Sequence, residues 1–183
     1  MIECKGTYCY CREIKHYKVV HLVFIREQLI YDIDNCSWVE GDVLRAEDEH
    51  QRHQIQDVAQ YGNIDRVTRM LDLAFAECND ILYPFTKTKL EAGTREDDTL
   101  KETEKYVMRL KVPRDFSKTT YEVLLQYIHH YMVARVIEDW MSITNPDKNS
   151  AANWKRKIEE VREAIESAMN SRMGRVRRTL TPW

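Results

Sequence analysis

The densest group of residues suited to chemistry is Glu47-Asp48-Glu49-His50-Gln51-Arg52-His53. Glu47 and His50 stand three apart, as do His50 and His53, so on a helix each pair shares a face and offers carboxylate and imidazole ligands to one ion. A carboxylate-bridged dimetal bundle would need a matching motif on a facing helix. Zinc hydrolases of the His-Glu-x-x-His type place their histidines four apart with the glutamate between, which this segment does not. It is therefore read as a solvated polar helix face, with no metal assigned. Cys4, Cys9, Cys11 and His16 form a second conceivable ligand set, but their spacing is not a usual zinc pattern, and they read as free thiols and a histidine in a strand or arm.

Other reactive side chains sit singly. His129 and His130 are adjacent in a helical stretch and point about 100° apart, so they do not form one ligand pair; one is expected half-buried and the other exposed. Arg135 and Asp139 are four apart and are expected to pair within their helix. Cys78 falls on an apolar stripe and is expected in the core, and Cys36 has no catalytic setting. The 5 glycines are scattered singly, so no phosphate-cradling loop is possible, and there is no Gly-x-Ser-x-Gly nucleophile turn. The expected class is a non-enzymatic protein with no cofactor.

The strongest charge feature is the C-terminus. Arg172, Arg175, Arg177 and Arg178 have no acid among them and lead into Thr179-Leu180-Thr181-Pro182-Trp183. Three readings are open: phosphate contact with nucleic acid, docking on an acidic protein surface with Pro182 and Trp183 as an apolar anchor, or a disordered tail. The acidic stretches 40–57 and 91–104 suit the second reading.

The elements that must position these residues follow from composition and periodicity. The chain has 183 residues, 43% hydrophobic and 32% charged, with only 4 prolines and a net charge of −2. That suffices for one core plus arms, and the chain as a whole is no polyanion binder. The start lacks a basic flank followed by a long apolar run, and no stretch is long enough to span a bilayer. The five cysteines are expected to be reduced, in a cytosolic setting.

Residues 1–22 are expected to form an N-terminal arm, or to reflect a start site placed too far upstream; Tyr17–Ile25 reads as a strand. Residues 23–171 are the expected helical core domain, and 172–183 the basic tail. A first helix opens over 24–34, and Asn35–Asp42 reads as a turn. A short helix through 47–60 stops at Gly62 in a left-handed cap. Asn63 is the N-cap of a helix with the stripe Ile64, Val67, Leu71, Ala74, Cys78 and Ile81, ended before Pro84. Residues 84–113 form an exposed loop or hairpin. Within it, 105–112 alternate, with Tyr106, Met108, Leu110 and Val112 facing one way and Lys105, Val107, Arg109 and Lys111 the other. This strand is expected to pair with 84–90 or with another subunit. Ser117 caps a helix over 118–144, with Leu125, Ile128, Met132, Val136, Trp140 and Ile143 as core. Asn145-Pro146 breaks it, and a second helix, 151–173, carries Trp154, Ile158, Val161, Ile165, Ala168 and Met169. So short a break makes the two an antiparallel hairpin. The expected fold is mainly α, a small helical bundle with this long hairpin and a minor β-hairpin or arm.

In order of parts and in several phrases, residues 26–183 resemble head–tail connector (neck adaptor) proteins of tailed phages and prophages, of a Bacteroidales type. The phrases are Asn63-Ile64-Asp65-Arg66-Val67 opening a helix that ends at Leu82-Tyr83-Pro84-Phe85, the strand into Val112-Pro113-Arg114-Asp115-Phe116-Ser117, Asp139-Trp140-Met141-Ser142, and Arg177-Arg178-Thr179-Leu180-Thr181-Pro182-Trp183. The resemblance implies a virion structural protein, assembled in the host bacterial cytoplasm as a homo-oligomeric ring. Its partners would be the portal protein and the tail or neck proteins, with DNA passing nearby and no membrane. The alternative is a nucleic-acid-binding helical module that uses the basic tail.

Overall fold

The structure, a computed structural model, describes residues 17–43, 49–89, 93, 103–144 and 149–171. The order is β1 (Tyr17–Ile25), α1 (Arg26–Val43), α2 (Glu49–Gln56) with a 3-10 turn at Asp57–Ala59, α3 (Ile64–Ile81), α4 (Tyr83–Thr86), β2 (Lys105–Pro113), α5 (Lys118–Thr144) and α6 (Asn149–Ser171). The fold is mainly helical with one two-stranded antiparallel sheet.

α5 is the axis. Ser117 Oγ accepts from the Thr119 amide at 3.2 Å and so supplies the expected cap. The expected stripe holds at Ile128, Met132, Val136 and Trp140, but Leu125 is half-buried and Ile143 is exposed. Tyr131 to Ala134, Ile137 and Met141 are buried as well, so the helix is covered on nearly every side. A helix apolar all round belongs inside a bundle, and α1, α3 and α6 supply the cover. α6 lays Trp154, Ile158, Ile165, Ala168 and Met169 along α5, completing the expected hairpin. Trp140 also donates its indole N–H to the Ile55 carbonyl at 3.0 Å, which ties α2 to the axis.

Several local expectations are corrected. Asn35–Asp42 is not a turn, because α1 runs through it to Val43. Its buried stripe is Leu29, Ile33, Ser37 and Gly41, and the two small residues let α2 approach closely. A Cβ on Gly41 would stand 2.7 Å from Gln56 Cγ. Close packing there outweighs the weak helix propensity of Asn, Ser and Gly. Gly62 has no left-handed conformation; the preceding helical turn instead stops at Gln60, whose backbone turns extended (φ −65°, ψ 148°). Asn63 does stand at the N-cap of α3, but its side-chain amide donates to the Asp57 carbonyl at 2.8 Å rather than receiving from the helix. The α3 stripe is buried at Val67, Leu71, Ala74 and Cys78.

Among the described residues, β2 does not pair with 84–89. It pairs with β1, in a register from Tyr17↔Pro113 to Ile25↔Lys105. Leu22 and Phe24 join Tyr106, Met108, Leu110 and Val112 in burying one face of this ribbon on the helices. The acidic stretch 94–102, between β2 and the helices before it, lies outside the described residues.

Candidate interaction surface

Of the residues singled out in the sequence, Arg172, Arg175, Arg177, Arg178, Pro182 and Trp183 lie outside the described residues, as do Cys4, Cys9, Cys11, His16, Glu47 and Asp48. His53 is exposed on α2, and His50 meets Gln54 at 3.1 Å. Among the described residues, no three His, Cys, Asp or Glu side chains gather as a metal site. The expected Arg135–Asp139 pair does not form; each side chain takes a partner on α3, and Arg135 a second on its own helix. Arg135 Nε bonds Glu77 of α3 at 3.2 Å and its Nη1 meets Glu138, while Asp139 takes Arg66 of α3 at 2.8 Å. Partners on a packed neighbour hold a guanidinium better than an exposed intrahelical partner does.

His129 is half-buried and His130 exposed, as the 100° offset requires. His129 Nε2 stands 2.7 Å from Asp32 Oδ2, which also accepts from Gln28 at 3.2 Å. This tie between α1 and α5 sits in a groove of about 390 Å³ walled by Val23, Ile25, Leu125 and Gln126. Asp32, Gln126 and His129 also line a second hollow of about 480 Å³, which reaches Cys36 and His130. Burial first, and then the charge of Asp32, raise the Cys36 thiol pKa despite the opposing pull of Lys157. Cys36 therefore stays protonated at neutral pH and is a weak nucleophile. Partial burial of the ring first, and then the Lys157 charge, lower the His130 imidazole pKa. Asp32 and His129 are 97 positions apart, and no local spacing signals their meeting.

The ribbon presents a more distinctive surface. Arg26 N donates to Glu104 O at 3.1 Å, which continues the ladder past Ile25↔Lys105. Counting in twos from there, the hydrogen-bonded pairs are those with buried side chains. The outward residues form the non-bonded pairs, whose side chains stand closest together. The outward pairs are Tyr17–Pro113, Val19–Lys111, His21–Arg109, Val23–Val107 and Ile25–Lys105. The free edge fits this phase, since the His21 carbonyl points away from β2 and accepts from Tyr121 Oη at 2.9 Å. Val23, Ile25 and Val107 are 45%, 50% and 53% exposed. The outward face is thus an apolar patch flanked by Lys105, Arg109 and Lys111, with no carboxylate among its positions. The alternation in 105–112 shows half of this face in the sequence. The apolar half comes from β1 and joins only through the sheet.

Compared with known proteins, the chain matches no protein family, no curated protein and no solved structure.

Proposed function

We propose that this chain is a structural assembly protein that works through protein–protein contact, as do the phage head–tail connectors its sequence resembles. The observation that carries this reading is the ribbon's outward face. Tyr17, Val19, Val23, Ile25 and Val107 remain exposed on a sheet of two nine-residue strands whose other face is already buried. A contiguous apolar patch rimmed by charge marks a docking site. In this role the chain forms a homo-oligomeric ring in the virion, between the portal and the tail proteins. The basic tail, Arg172 to Trp183, supplies a second contact.

The test is solution mass by light scattering, with negative-stain imaging, of the full chain alone and with the portal protein of the same phage. Rings, or a defined complex with the portal, are the expected outcome. A monomer that binds no portal protein overturns the reading. The alternative is a nucleic-acid-binding module that uses the basic tail, to which the ribbon would add its own cations. Contact through Lys105, Arg109 and Lys111 alone would give a log–log salt slope near −3 for duplex DNA, at about 0.9 per phosphate neutralised. The apolar side chains between them favour protein, because phosphate contact makes no use of them.

A further inference from the structure

α1 carries a surface of the opposite kind. Opposite its buried stripe, Tyr31, Trp38 and Val39 are 63%, 50% and 65% exposed. They stand seven and eight residues apart from Tyr31, which places them on one side of the helix. The charge of α1 is one-sided: Glu27, Asp32, Asp34, Glu40 and Asp42 against Arg26 alone. Arg26 turns toward α3 and donates to Thr68 Oγ1 at 3.3 Å. Asp32 faces the groove, Glu40 receives Trp154 and Ser150, and Asp42 meets Arg52. On the side of Tyr31 and Trp38 this leaves Glu27, Asp34 and Asp42, the last with Arg52 beside it, as the ribbon's valines sit among cations.

We propose that the outward face of α1 in one copy docks on the outward face of the β1–β2 ribbon in the next. The proposal rests on the assembly reading and names its partner, a second copy of the same chain through an unlike surface. Charge selects this pairing over symmetric ones. Ribbon against ribbon would set Lys105, Arg109 and Lys111 against themselves. α1 against α1 would crowd Glu27, Asp34 and Asp42. Opposed like charges penalise both symmetric contacts. The unlike pairing buries apolar side chains on both sides and places cations against carboxylates. Each copy so joined keeps one free face of each kind, so the contact repeats until it closes as a ring or runs on as a filament.

Two variants test this, each altering only exposed side chains, with circular dichroism and the thermal midpoint checked against the parent. One carries Lys105→Glu and Arg109→Glu on the ribbon. The other carries Trp38→Ser and Val39→Lys on α1. Each alone should associate at least about 100-fold more weakly than the parent, since opposed like charges cost several kcal/mol and each tenfold is 1.4. Mixed, they retain one intact pair of faces between them and should form a two-chain species and nothing larger. A mixture that stays monomeric overturns the proposal, as does either variant associating like the parent. A parent that never self-associates yet binds the portal overturns this pairing and leaves the assembly function standing. A parent that does neither overturns both.

Discussion

At Gly41 the absence of a side chain decides how closely two helices meet. The Gln56 side chain fills the space a β-carbon would occupy, and Gln56 also donates to Asp42 at 3.3 Å. Gly41→Val should therefore lower stability by about 1–3 kcal/mol through overpacking, read from the urea midpoint; an unchanged midpoint would mean that α2 shifts freely. Tyr106 and Tyr131 carry a pH dependence at the same scale. Each donates to a carboxylate, Asp72 at 2.8 Å and Glu77 at 3.0 Å. Burial is the larger cause in both, and with the neighbouring carboxylate it raises the phenol pKa above its ordinary value of 10.0. The folded protein then holds protons that the unfolded chain releases. Their contribution to stability is full below pH 10 and falls as the pH rises toward the raised folded values. Urea midpoints between pH 9 and pH 11 should decline, and Tyr106→Phe with Tyr131→Phe should flatten the decline; equal slopes in parent and variant would refute the assignment.

At the scale of elements, the ribbon depends on strands drawn from distant parts of the chain. β1 covers the hydrogen-bonding edge of β2 and adds Leu22 and Phe24 to its buried face. A chain beginning at Arg26 keeps every helix but leaves β2 without its partner. A lone strand with an apolar face is an aggregation template. Such a chain should retain helical circular dichroism while losing solubility, measured by sedimentation after purification; a soluble monomer would show that β2 finds another cover. The helices were largely legible beforehand. Their stripes at Val67, Leu71, Ala74 and Cys78, and along α6, come from a period that a helix imposes on any amphipathic segment. The pairing of β2 was not legible, because period-2 alternation shows that a strand has a buried face without showing which strand lies beside it.

For the whole molecule, a net charge of −2 conceals an uneven distribution. The outward ribbon is basic and α1 is acidic, and the assembly proposed above joins the two. Association should weaken as sodium chloride rises from about 0.05 to 0.5 M, where the screening length contracts well below 10 Å. Sedimentation velocity across that range checks it, and association that strengthens with salt would assign the contact to apolar burial alone. The helical class, the α5–α6 hairpin, the strand at Tyr17–Ile25 and the burial of Cys78 are all legible from the residues alone. All of these are properties of local period, caps and breaks, which the chain carries wherever it folds. Packing between elements is what carries α1 through Asn35–Asp42, turns Arg135 and Asp139 to α3, brings His129 to Asp32, and sets the valines of β1 beside the cations of β2. Each of these depends on which surfaces meet, from Gly41 and Gln56 in neighbouring helices to Asp32 and His129, 97 positions apart. At that range close packing and paired charge outweigh local propensity.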